Sequence, residues 1–216
     1  MCLLRRFMLF GRFNRTLPPN EIPTCQPLPS GNVLIGVVGE CRLIEVDRQG
    51  KIVFELKLET TETTPHAQFR LCRKTPEGTY LVPFMAEGAV REYSADGKVI
   101  REFPRRSAPV CAVRLPDGNT LISAGGRVTE YDPSNRIVWE LHPRDIPDIK
   151  VGILAGIQRF PNGNTIINNW GDGPHIFEVS HDKRVTWQVE STAFGRSAAC
   201  QILTEELQPD DQVVWR

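Results

Sequence analysis

The segment Asn168-Asn-Trp-Gly-Asp-Gly-Pro174 sets an indole between amides and a carboxylate. That mix suits sugar recognition, because a ring stacks on the indole while polar groups take its hydroxyls. Trp170 and Asp172 are the candidate contacts, and a polar turn without a ligand is the plainer account of the same residues. A second group consists of Gln26, His66, Gln68, Arg73, Gln158 and Gln201, polar residues in or beside apolar, extended stretches. Arg70, Arg114 and Arg159 join Arg73 as cations able to hold spread negative charge. His142, His175 and His181 stand in connecting stretches and are weaker candidates. The loop Leu141-His-Pro-Arg-Asp-Ile-Pro-Asp-Ile-Lys150, long for this chain, is a secondary candidate site.

The bulk properties of the 216 residues narrow the function classes. Basic and acidic residues balance at 26 each, which argues against a nucleic-acid partner or an anionic membrane surface. No apolar run approaches the roughly 18 residues of a membrane span. Six cysteines without a Cys-x-x-Cys pair do not make a disulfide scaffold, and neither a metal site nor a cofactor is expected. In residues 1–22, Arg5, Arg6 and Arg12 interrupt the apolar run that a secretory signal needs, and no Ala-x-Ala follows.

What must position the candidates is a repeat. Leu28-Pro-Ser-Gly-Asn-Val-Leu-Ile35, Thr75-Pro-Glu-Gly-Thr-Tyr-Leu-Val82, Leu115-Pro-Asp-Gly-Asn-Thr-Leu-Ile122 and Phe160-Pro-Asn-Gly-Asn-Thr-Ile-Ile167 are variants of one motif. Their glycines, Gly31, Gly78, Gly118 and Gly163, stand 47, 40 and 45 residues apart. A second motif follows each, as in Glu130-Tyr-Asp-Pro-Ser-Asn-Arg-Ile-Val-Trp-Glu140, with turn formers between β-branched and aromatic flanks. Each unit therefore reads as four short antiparallel strands. The third is expected as Cys111-Ala-Val-Arg114, Thr120-Leu-Ile-Ser123, Val128-Thr-Glu-Tyr131 and Arg136-Ile-Val-Trp-Glu140. Four strands per 40–50 residues is the signature of β-propeller blades, so the fold class is all-β.

Four complete blades cover roughly residues 23–190 of a repeat domain spanning 23–216. A fifth copy begins at Ala199-Cys-Gln-Ile-Leu203, and Gln212-Val-Val-Trp215 imitates an outer strand, but middle strands are missing. Either residues 1–22 supply closing strands or the blades form an open arc, and the repeat favours the arc. Cys25, Cys72 and Cys200 occupy one repeat-equivalent place and are expected as small apolar residues packed between blades.

The repeat, Leu-Pro-x-Gly-Asn-Thr-Leu-Ile followed by Glu-x-Asp-x-x-Gly-Lys-Ile-Val-Trp-Glu, resembles bacterial propellers of the pyrroloquinoline-quinone-like and arylsulfotransferase-like kind. The uncharacterised secreted members are the most similar, usually longer chains with additional N-terminal blades. The resemblance implies a periplasmic or secreted location. It also implies that the aromatic place held here by Phe54, Trp139 and Trp187, but by Arg101 in blade 2, docks one blade on the next. From the arylsulfotransferase side it implies a nucleophilic histidine near the axis, for which His66 in Pro65-His-Ala-Gln-Phe69 is the positional match. The leading expectation is a non-catalytic binding or scaffold module for carbohydrate or protein, its inner-strand polar residues lining the axial opening. A transferase or hydrolase using His66 is the alternative.

Overall fold

The computed structural model describes residues 21–189 and 196–200. They form four sheets, each of four antiparallel strands in chain order, the arrangement of four propeller blades. Blade 1 holds β1 (Thr24–Pro27), β2 (Val33–Val37), β3 (Arg42–Val46) and β4 (Ile52–Lys57). A short helix, α1 (Pro65–Gln68), leads to blade 2, with β5 (Arg73–Lys74), β6 (Tyr80–Phe84), β7 (Ala89–Tyr93) and β8 (Val99–Glu102). Blade 3 holds β9 (Pro109–Arg114), β10 (Thr120–Ala124), β11 (Arg127–Tyr131) and β12 (Ile137–Leu141), and ends in a 3-10 turn at Pro143–Asp145. Blade 4 holds β13 (Ile153–Arg159), β14 (Thr165–Trp170), β15 (Ile176–Val179) and β16 (Val185–Val189). The strands expected in the third unit match β9 to β12. The expected fifth copy is described only at its first residues, and Gln201 and everything after it lie outside the described residues.

The repeated motif is the turn between first and second strands. In blade 2 the Gly78 N–H donates to the Thr75 carbonyl at 3.0 Å and Gly78 takes φ +84°, a left-handed conformation that glycine adopts without strain. The first strands are inner: every residue of β9 is buried, whereas β4, β8 and β16 are largely exposed and β12 is exposed at its start. Blade 2 departs from the pattern. Pro83 has no N–H to give the ladder, so residues before β5 meet β6 only at the Phe69–Phe84 bridge, and Leu71 pairs instead with Cys111 of blade 3.

The core lies between blades. Leu34, Leu43, Leu56, Phe69, Tyr80 and Phe84 fill the seam of blades 1 and 2. Leu81, Val90, Phe103, Ile122 and Tyr131 fill the next, and Leu121, Trp139, Leu154, Ile167 and Phe177 the third. The three repeat-equivalent cysteines do not share one environment. Cys72 is fully buried, as expected, but Cys25 is exposed and Cys200 half-buried. The difference follows from neighbours: Cys72 has blades on both sides, while Cys25 belongs to the first blade of the series. No helix among the described residues is long and apolar enough to cross a membrane.

Candidate functional site

Within each blade, one cross-strand row faces the following blade. Its members are register partners: Gln26, Leu34, Glu45 and Phe54 in blade 1, then Arg73, Leu81, Glu92 and Arg101 in blade 2. Blade 3 presents Val113, Leu121, Glu130 and Trp139, and blade 4 presents Gln158, Ile166, Glu178 and Trp187. In blades 1 to 3 the carboxylate of the row meets a cation at the end of the next inner strand. Glu45 pairs with Lys74 at 2.5 Å, Glu92 with Arg114 at 2.5 Å and Glu130 with Arg159 at 3.0 Å. The fourth member also reaches across. Phe54 stacks on Tyr80 with ring centroids 5.0 Å apart, Arg101 donates to the Asp132 carbonyl at 2.5 Å, and the Trp139 indole N–H donates to the His181 carbonyl at 2.8 Å. Burial and the hydrogen bond it donates to Glu45 push the Tyr80 phenol up.

These seams account for several predicted site residues. Gln26 is 1% exposed, and its amide bridges the backbone of Lys74, accepting from the N–H at 2.8 Å and donating to the carbonyl at 3.3 Å. Arg114 donates to Glu92 and to the Gly118 carbonyl, so its guanidinium is used inside the seam. Buried Arg73 donates to the Cys72 carbonyl. Gln68, buried at the end of α1, ties blade 1 to the interblade stretch by accepting from the Gly39 N–H at 2.8 Å and donating to the Glu62 carbonyl at 3.2 Å. Gln158 is buried at 2% exposure, and neither of its amide atoms has a hydrogen-bond partner among the described residues.

His66 stands elsewhere, with its side chain 60% exposed at the start of α1. Its Nδ1 lies 2.9 Å from Glu21 Oε2, and Arg70 Nη1 lies 3.1 Å from the same oxygen. Burial alone would raise the Glu21 carboxyl, but hydrogen bonds from Arg70 and His66, with their charges, bring it below the usual carboxylate range. A second Arg70 nitrogen lies 2.7 Å from His66 Nε2. The same nitrogen lies 2.8 Å from Nδ1, so the guanidinium sits over the face of the imidazole and not in line with one ring nitrogen.

The Trp170 loop has a different character. Trp170 ends β14 at 42% exposure, opposite its register partner Ile153 at 43%, and the two make an apolar platform. Asp172 is flanked by Lys150 Nζ at 3.1 Å and an Arg196 guanidinium nitrogen at 3.0 Å, and those two hydrogen bonds hold its carboxyl below the usual range. Asn169 clamps the loop from beneath: its Oδ1 accepts from the Gly152 N–H at 2.8 Å and its Nδ2 donates to the Lys150 and Pro174 carbonyls. The two backbones approach so closely that a Cβ on Gly152 would sit 2.5 Å from the Trp170 carbonyl oxygen. The platform is therefore fixed by packed backbone. Ile153 and Arg196 were not singled out in the sequence; Asn169 and Lys150 fell inside the quoted candidate stretches without a role of their own. The loop 141–150 adds a shallow cleft of about 340 Å³ lined by Ile137, Glu140, His142, Arg144 and Lys183.

Comparison with known proteins agrees on architecture. The profile of the family described as Mal s 1 allergenic protein-like matches residues 54–159. A crystal structure of a protein of unknown function from Bacteroides caccae is 29% identical, with a TM-score of 0.76, over 83% of this chain and 71% of that one. A streptogramin B lyase superposes with a TM-score of 0.61 at 14% identity, over 82% of this chain and 57% of the lyase. Virginiamycin B lyase from Staphylococcus aureus gives 0.59 at 14% identity, over 80% and 56%. The chain thus spans little more than half the length of either lyase. At that identity the lyases speak for the fold alone. No curated protein matches the chain. The structural neighbours are β-propellers, and this chain carries an all-β, four-bladed propeller of four-stranded antiparallel sheets.

Proposed function

We propose that this propeller is a non-catalytic binding module of the pyrroloquinoline-quinone-like and arylsulfotransferase-like kind that its repeat resembles, and that its ligand is a carbohydrate held at the Trp170 loop. One observation carries the reading: an exposed indole and its exposed register partner Ile153 end a strand that leads into the Lys150–Asp172–Arg196 cluster, on backbone locked by Asn169 and close glycine contacts. An apolar platform framed by fixed donors and acceptors complements the two faces of a sugar ring. Titration with a panel of soluble polysaccharides, read by tryptophan fluorescence and affinity electrophoresis, tests it. The expected outcome is binding by the native chain and a loss of about tenfold or more in Trp170→Ala, the scale of one stacking contact worth ~1.5 kcal/mol. Binding that survives Trp170→Ala unchanged would sink the assignment.

A second reading, an arylsulfotransferase-like or hydrolytic enzyme using His66, draws support from the Glu21–His66–Arg70 cluster. A carboxylate orienting an imidazole beside a guanidinium is a sensible start for transfer of an anionic group. Against it, His66 is 60% exposed on the short interblade helix, and its Glu21 and Arg70 partners already pair with each other. The same samples separate the two readings. His66→Ala retains polysaccharide binding under the first, whereas an aryl-sulfate transfer activity lost in His66→Ala would favour the second.

A further inference from the structure

Lys150 precedes β13 and Arg196 follows β16, yet the two meet at one carboxylate. Lys150 Nζ lies 3.1 Å from Asp172 Oδ2, and an Arg196 guanidinium nitrogen lies 3.0 Å from Asp172 Oδ1, so each cation takes one oxygen. Two positive charges against one negative leave a local excess, in a chain whose formal net charge is zero. All three side chains are more than half exposed. Ion pairs so open to solvent add little stability, because water screens them and long side chains lose freedom in forming them. Stability therefore does not account for gathering two like charges around one partner. An ammonium and a guanidinium also carry several N–H donors each. Among the described residues, Asp172 is the one hydrogen-bond partner of either side chain, so most of those donors are unused.

The backbone beneath the cluster is fixed. Asn169 Nδ2 donates to the Lys150 carbonyl at 3.1 Å, and a Cβ on Gly173 would overlap that same oxygen. Next to this contact, Gly152 meets the Trp170 carbonyl. Arg196 is held through its neighbours: Asn168 Nδ2 donates to Ser197 Oγ at 3.0 Å, and the Gly156 N–H donates to the Ala198 carbonyl at 2.8 Å. Charged cluster and apolar platform thus share one piece of packed backbone. Asp172 also shows what the cations are spaced to hold, since they straddle a planar group with two charged oxygens.

We propose that the ligand is an acidic polysaccharide built of uronic acids, with a ring face on Trp170 and Ile153 and a carboxylate on the unused donors of Lys150 and Arg196. The proposal rests on the carbohydrate reading and names the chemistry of its ligand. A uronate carries its carboxylate on the sugar ring, so stacking and charge pairing come from one residue. A sulfate ester shares the negative charge, but spreads it over three oxygens in a pyramid instead of two in a plane.

Polygalacturonate and its fully methyl-esterified form, one polymer with and without charge, test the proposal by isothermal titration calorimetry. At ~0.01 M salt the native chain is expected to bind the acid about tenfold more tightly than the ester, the scale of two exposed ion pairs. Raising salt to ~1 M, which shortens the screening length from roughly 30 to 3 Å, is expected to remove that preference. Lys150→Gln with Arg196→Gln is expected to melt as the native chain does and to bind acid and ester alike, whereas Trp170→Ala weakens both. Equal binding of acid and ester by the native chain, lost in Trp170→Ala, would overturn the uronate and leave the carbohydrate reading standing. A preference for the acid that survives the double substitution would also overturn it. Tighter binding of κ-carrageenan, a sulfated galactan, would move the cation pair to sulfate esters and overturn the carboxylate. Silence across the whole polysaccharide panel would overturn both readings.

Discussion

Gly78 stands in open space, with nothing within 4 Å of where a Cβ would point, so its conformation is all that demands glycine there. At φ +84° an L side chain is strained. Gly78→Ala is expected to cost about 1 kcal/mol, read as a fall in the denaturation midpoint with an unchanged slope. A glycine in a Pro-x-Gly turn is legible from sequence because the demand is local. The role of Gln26 was not. An alternating strand shows that Gln26 and Leu34 share a face, but which face meets the next blade depends on how the sheets are arranged around one another. The expectation of an axial lining therefore passed over the seam. His66 was picked out by position, while its partner Glu21, 45 residues earlier, had no sequence signal.

At the level of strands and seams, the acidic place in the third strand and the basic place at the end of the inner strand form a ladder of buried ion pairs. Glu92 and Arg114 are 7% and 10% exposed, so each depends on the other for compensation. Arg114→Ala is expected to destabilise by ~3 kcal/mol or more because it strands a buried carboxylate, whereas Glu92→Gln with Arg114→Met recovers much of that loss. A double-mutant cycle from chemical denaturation measures both. The strand count was readable from period and turn chemistry. The broken start of blade 2 was less so, since the effect of Pro83 on a strand ten residues earlier appears only when the two lie side by side.

On the scale of the whole molecule, each blade is finished by its successor, so stability accrues seam by seam. The repeat that made four blades legible says nothing about ligand, because its recurring residues are spent on turns and seams and the Trp170 platform occurs once. The same repetition leaves another mark. Every outermost strand exposes apolar residues at its start: Ile52 and Val53, Val99 and Ile100, Ile137 and Val138, and Val185. Each is the free edge of a sheet, ready to pair with another chain. Each is also preceded by a cation, Lys51, Lys98, Arg136 or Arg184, and the last three side chains are 78%, 80% and 79% exposed. Their ion pairs are local and too solvated to add much stability. Substituting all four by Thr is expected to leave the melting temperature within a few degrees and to raise concentration-dependent light scattering. These four charges then serve as gatekeepers, keeping a rim of sticky edges in solution as separate molecules.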